Sequence, residues 1–332
     1  MQMMTHLFLV ALTATLTALS PVSFPGVESG IGFDDLGFAP KLHRVLVPGG
    51  RTGKLMLVDP SALRTEFISG FSQGTEYGGG HGQGITSADE GRGVIFVTDR
   101  SSKRLNVVDE QSGKIVADAP LGAGPDYVRF VAETNEVWVT EPRAQGIEVF
   151  SLPANGTPRP VHSGFIEVSG GPEALVIGHS QKRAYTNLWS DTSLVIDLKG
   201  RKVISRWPNG CKGSRGLALD PEHGFLFVGC EEGKLSVLGT ADGKQLGEAS
   251  SGAGVDIIAY NPQLAHLYLP GGESATMATI GISSDGKAAV LGMVSTASDS
   301  HCVTTDGRDR VYVCDPGHGR ILVFKDPLPA SK

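Results

Sequence analysis

The chain is poor in charge, in aromatic rings and in cysteine: 19% of its 332 residues are charged, 7% are aromatic, and only four are cysteines. With 45 Gly and 19 Pro, that balance suits many turns and buried strands rather than long helices. There is no basic excess either. A net charge of -6 and a pI near 5.9 leave no diffuse cationic surface to neutralise phosphates, which argues against a nucleic-acid partner. The phosphate loop GxxxxGK[ST], the nucleophile elbow GxSxG, the zinc-protease motif HExxH and the EF-hand pattern are all missing. The cysteines lack CxxC spacing, which argues against a structural zinc or a redox dithiol.

Long apolar runs are equally scarce, with one exception. Residues 7–19 form an apolar segment too short to span a bilayer securely, followed by Pro21 and small residues. Residues 1–20 are read as a secretory signal and 21–332 as one domain, with an uncleaved membrane anchor as the alternative, since the leader has no Lys or Arg. Removal of the signal leaves an exported, periplasmic or extracellular chain without a membrane span.

What the sequence has in quantity is repetition. The stretch HGQGITSADEGRGVIFVTDRSSKRLNVVDEQSGKIVADAP, from His81 to Pro120, reads as four short β-branched strands separated by turn formers. Runs like its VIFVT recur around Val47, Val97, Val139, Thr186, Val228, Leu269 and Val313, spaced by 41 to 50 residues. Each is followed by a second run, such as KLMLVD, RLNVVD, SLVIDL or RILVFK. Four strands at this period predict an all-β protein, a seven-bladed β-propeller of four-stranded antiparallel blades. IFVTDRSSKRLNVVDEQSGKIV and AYTNLWSDTSLVIDLKGRKVIS resemble blades of the YVTN-type β-propeller repeat family. The resemblance spans nearly all of the chain after the leader, with LVPGG, LFVGC and LYLPGG departing from the signature. It implies a fold and not an activity, because the family includes enzymes, enzyme subunits and binding proteins.

The last unit ends at RILVFKDPLPASK, with no sequence left for a fourth strand. Residues 22–29 lie where an outer strand would precede the first inner strand, so the N-terminal strand is expected to close the last blade and remove an exposed edge.

In a propeller the innermost strands face a central channel. The residues two before the first apolar position of each inner strand are Asp34, Gln83, Asp126, Glu173, Arg215, Asp256 and His301. None is apolar, and four are carboxylates against one guanidinium. Crowded like charges raise one another's pKa unless a cation intervenes, so this ring calls for a positive partner. Asp126, Glu173, Asp256 and His301 are candidate ligands for a divalent metal, the oxygens favouring Ca²⁺ or Mg²⁺ and the imidazole admitting Mn²⁺, Fe²⁺ or Zn²⁺. Arg215 suits a carboxylate of an organic ligand. Ordered water in a wet channel is the bland alternative. Loops after the second strands add Arg51, Arg100, Arg143, Trp189, Glu231, Glu273 and His318 on the same face, and His81 in GGGHGQG lies close to the ring.

Cys211 and Cys230 bracket the inner hairpin of the fifth unit, and Cys302 and Cys314 that of the seventh. Two disulfides, Cys211–Cys230 and Cys302–Cys314, are expected in an exported protein, with four buried thiols as the alternative. The first functional expectation is a monomeric propeller binding a small molecule or metal ion at one mouth of its channel. The second is a metal-assisted hydrolase or lyase acting on a lactone-like ring, with His301 or His81 as general base. The third is a protein-interaction scaffold built on the rim loops.

Overall fold

In a computed structural model, which describes residues 15–27 and 29–331, seven antiparallel sheets stand around a central channel. Blades 1 to 6 cover residues 37–69, 85–120, 128–167, 173–208, 214–250 and 259–295, each with four strands in chain order from the channel outwards. Four of the seven second strands, Val94–Asp99, Glu136–Glu141, Phe225–Cys230 and His266–Gly271, are buried along their whole length, and the others all but their first residue. That is why they read as continuous apolar runs: neighbouring blades cover both faces. The outer strands meet water on one side, and Lys202–Pro208 accordingly alternates exposed residues with half-buried ones and the buried Trp207.

The turns into the outer strands are written locally. Asp59 and Asp109 end third strands, and their Oδ1 atoms accept the backbone N–H of Ser61 and Ser112, each at 2.8 Å. This Asx geometry reverses the chain after a fixed number of residues and so holds the register of the fourth strand.

Blade 7 takes three strands, Val303–Thr305, Arg310–Asp315 and Arg320–Lys325, from the end of the chain and its edge from the beginning. Thr17–Ala18 pairs with Lys325 and Phe324, and Val22–Ser23 pairs with Ile321 and Arg320. The closing strand therefore starts earlier than the expected residues 22–29, because Leu16, Val22 and Phe24 are the residues with apolar side chains to bury. Of the segment read as a leader, residues 1–14 lie outside the described residues, and Thr17–Ala18 belongs to the sheet. Beyond the last strand, Asp326 accepts hydrogen bonds from His266 at 2.8 Å and Tyr268 at 2.7 Å, locking the chain end onto blade 6. No helix among the described residues is long and apolar enough to cross a membrane.

Both expected disulfides are present, with Cα–Cα separations of 5.2 Å for Cys211–Cys230 and 5.5 Å for Cys302–Cys314. They join residues 19 and 12 apart in sequence. Loops of that size restrict the unfolded chain by about 3 kcal/mol each. Replacing both cysteines of either pair with serine should lower stability by about that amount in urea titrations, and mass measurement of the unreduced protein should find no alkylatable thiol.

Candidate functional site

Because the segments leading into the inner strands and the loops after the second strands emerge on one face, their side chains meet at one mouth of the channel. A cavity of about 1140 Å³ opens there, lined by Asp34, Asp126, Glu173, Arg215, Asp256 and His301 from the predicted ring. His81, Arg100, Arg143, Trp189, Glu231 and Glu273 also line it.

Three expected positions fall elsewhere. Gln83 is exposed, with its side chain against the Gly74 turn. The Gly-rich lead-in to Ile85–Gly91 turns so that His81, and not Gln83, lines the cavity. Arg51 donates to the backbone of Gly30 and Ser29, and His318 bonds Asp315 at 2.8 Å.

Arg100 organises one side of the mouth. Its Nη2 donates to Asp34 Oδ2 at 3.1 Å and Asp126 Oδ1 at 2.5 Å, Nε to the Pro125 carbonyl at 2.8 Å, and Nη1 to the His81 carbonyl at 2.6 Å. Its guanidinium thus bridges both carboxylates, of which Asp126 is one of the expected metal ligands. His81 Nδ1 also bonds Asp34 Oδ2, at 2.7 Å, which leaves Nε2 without a protein partner among the described residues. Attraction to Asp34 raises His81 to about 10 against the opposing effect of burial. Burial pushes Asp34 upward, but His81 and Arg100 outweigh it and hold this carboxyl below its ordinary range.

His301 faces backbone oxygens with both ring nitrogens, Nδ1 at 2.6 Å from the Asp299 carbonyl and Nε2 at 3.1 Å from that of Phe33. An imidazolium donates at both positions, whereas a neutral ring would set a lone pair against one oxygen. Burial works against that charge, but Asp299 and Asp256 carry His301 up to about 9. In that state both His301 nitrogens act as donors to backbone carbonyls.

The remaining carboxylates behave differently. Burial, then Asp34, pushes Asp126 up to about 7 even with Arg100 against it. Burial, then Asp126 and Asp256, drives Glu173 well above the ordinary carboxylate range. Burial also raises Asp256, although His301 and His81 pull the other way. Glu173 accepts a hydrogen bond from Trp189 Nε1 through Oε2, and Asp256 accepts none through its carboxylate among the described residues. Arg215, instead of pairing with Glu173 or Asp256, donates to Glu231 at 2.8 Å.

Donor atoms from His81, Asp256 and His301 lie within 4.8 Å of one another, as do those of Asp34, His81 and Asp126. A third such group, His301 with Cys302 and Cys314, has its sulfurs tied up in the disulfide. The expected quartet Asp126, Glu173, Asp256 and His301 does not converge in this way among the described residues.

The ring alignment missed what closes the channel below. Tyr127, 4% exposed, lines both the large cavity and a second of about 320 Å³ at the opposite mouth. Arg129 sits 5.3 Å from the Tyr127 ring centroid and grips Asp35 through two hydrogen bonds of 2.6 and 3.1 Å. Strand alternation in PDYVRF and FDDL could have shown these residues, since each follows a ring residue by an odd number of steps.

The shifts combine into a pH dependence of one sign. His81 and His301 stabilise the fold fully below their ordinary value of 6.5, and this stabilisation is lost as pH rises through about 9 to about 10. Asp126 is held protonated in the fold, so stability also falls between 3.8 and about 7. Asp34, held low, matters only as pH drops below 3.8. Urea midpoints should therefore decline from mildly acid to alkaline pH, with D126N flattening the lower part and H81N the upper. A midpoint that climbs across this range would contradict the assignment.

Fold and site together define a seven-bladed β-propeller with a deep charged cavity at one mouth. No protein-family model and no curated protein matches the sequence. Among solved structures, the chain is similar to one in the crystal structure of the Mitotic Checkpoint Complex, at TM-score 0.77 and 11% identity over 98% of this chain and 96% of that one. It is similar to Kuenenia stuttgartiensis hydrazine synthase at TM-score 0.72 and 14% identity, covering 92% and 99%. Similarity to the Myceliophteria thermophila Cps50 (Swd1) propeller domain has TM-score 0.74 and 11% identity, covering 94% and 99%. At these identities the likeness is one of fold alone.

Proposed function

We propose that this chain is an exported, monomeric propeller of the YVTN-repeat type that binds a small organic molecule at the Glu173 mouth of its channel. The observation that carries the reading is a cavity of about 1140 Å³ lined by many charged side chains, in which the carboxylates of Glu173 and Asp256 make no ion pair among the described residues. Such groups are costly to hold in place unless a ligand uses them. Arg100 already serves Asp34 and Asp126, which favours an organic ligand over a divalent metal. Two disulfides and the apolar N-terminal segment support export. Cleavage as late as Ser20 would remove Thr17–Ala18 from blade 7 and leave Val22–Ser23 as its edge.

Thermal-shift screening of a small-metabolite panel tests the reading. A ligand at a hundred times its Kd stabilises by about 2.7 kcal/mol, and that gain should vanish in D256A and R215A. A panel that leaves the wild type unmoved counts against the proposal, and a stoichiometric divalent ion in protein purified without chelator would redirect it to a metal.

A hydrolase or lyase is the second reading, supported by the His81–Asp34 contact. Asp34 orients the imidazole as it would in an acid–base pair. With its pKa raised, His81 would act as proton donor rather than as base. Lactone turnover abolished by H81Q would favour this reading, and no turnover by the wild type would end it. The scaffold reading draws only on the neighbour from the Mitotic Checkpoint Complex and on exposed Val161, Phe165 and Ile204 on the outer strands of blades 3 and 4.

A further inference from the structure

The cations of the mouth that lack an opposite partner lie at its rim, beside the exposed carboxylate of Glu273. Lys103 and Arg143 make no ion pair among the described residues, and both are exposed on the rim. Two unneutralised carboxylates lie lower. Glu173 is 8% exposed and spends only Oε2, on Trp189, and among the described residues its Oε1 has no protein partner and half-buried Asp256 has neither oxygen hydrogen-bonded. A ligand entering this funnel passes a rim of mixed charge, Lys103, Arg143 and Glu273, and ends among buried carboxylates.

Trp189 adds a second and independent feature. It is 42% exposed, unusual for so large an apolar side chain, and it lines the cavity beside the carboxylate that anchors its Nε1. An indole tethered at its edge presents its face at little entropic cost, and Trp is the aromatic ring that attracts cations most strongly.

We propose that the ligand carries a small organic cation, a protonated or quaternary amine, held by Glu173 and Asp256 with the indole of Trp189 against it. This rests on the reading of the mouth as a ligand site. A bare divalent ion fits less well, because no third carboxylate or imidazole joins Glu173 and Asp256 within 4.8 Å among the described residues, whereas such ions need several oxygens close at hand. An anion would meet unpaired positive charge only at the rim, because His81, Arg100 and Arg215 each already face a carboxylate.

Isothermal titration at neutral pH with benzylamine and choline, against benzyl alcohol, benzoate, CaCl₂ and MnCl₂, tests the assignment. The amines should bind saturably and at least tenfold more tightly than benzyl alcohol, and benzoate should not bind. E173Q should weaken the amines at least tenfold, and W189A should do the same while W189F restores part of the loss. Circular dichroism of each variant separates lost binding from lost fold.

Benzyl alcohol or benzoate binding as tightly as benzylamine, with the binding lost in D256N, would overturn the amine and leave the ligand site standing. So would CaCl₂ or MnCl₂ binding there and excluding the amines. Silence from every probe up to millimolar concentration would overturn both.

Discussion

A chain shortened to begin after Phe24 should lose on the order of 6 kcal/mol relative to one that begins at Thr15, from burial of about 1.5–3 kcal/mol for each large apolar side chain removed. Those side chains are Leu16, Val22 and Phe24, with exposures of 6%, 6% and 3%. The same deletion uncovers the edge of Arg320–Lys325, whose backbone groups would then be free to pair with another chain. A loss of this size approaches the whole stability of an ordinary domain, about 5–15 kcal/mol. The shorter chain should therefore unfold or aggregate near physiological temperature. Truncation after Ser20 keeps Val22 and Phe24 and should cost only about 2 kcal/mol, the share of Leu16. Urea titration of the series checks this, and equal stability across it would show that the ring closes without its N-terminal strand.

Arg100→Ala should cost about 3–5 kcal/mol, because removing one partner of a buried ion pair leaves the others uncompensated. Here a single guanidinium serves Asp34, Asp126 and two backbone carbonyls, with side-chain exposures of 20% for Arg100, 4% for Asp34 and 11% for Asp126. Its loss leaves two carboxylates facing each other with His81 as their remaining neighbour. Arg100→Lys keeps the charge but not the fork, and should recover only part of the loss. Arg100→Ala should also abolish ligand binding, since His81 and Asp126 lose their positions. A cost below about 1 kcal/mol, the value of an exposed pair, would mean that water already solvates this network.

The blades were legible in the sequence because their physics is local. Runs of β-branched residues at a steady period, ended by Asp-led turns such as Asp59 and Asp109, specify strands and reversals without reference to the rest of the molecule. Six of the seven ring residues were legible for a related reason, since strand alternation fixes which side chain faces the axis. Gln83 went astray where that logic fails. Gly79, Gly80 and Gly84 take φ values of +87°, +65° and +71°, a path that spacing cannot foresee, and a register shift follows between Ile85 and Ser87.

Pairing was less legible than position. Arg100 was one rim residue among seven by sequence, and only three-dimensional convergence shows that it takes two ring carboxylates while Arg215 turns aside to Glu231. Spacing gives no sign of this pairing, because Asp34 and Arg100 are 66 residues apart. The contacts of both His301 nitrogens with the carbonyls of Asp299 and Phe33 likewise depend on the fold, Phe33 lying 268 residues away in sequence.

The most direct measurement is a crystal of the full chain soaked with a mixed set of small polar and charged fragments. Density for bound fragments should concentrate in the cavity between Glu173, Asp256 and Trp189, with Arg100 still bridging Asp34 and Asp126. Fragments scattered over the outer surface, with only ordered water between those three side chains, would contradict the account of this mouth as a ligand site.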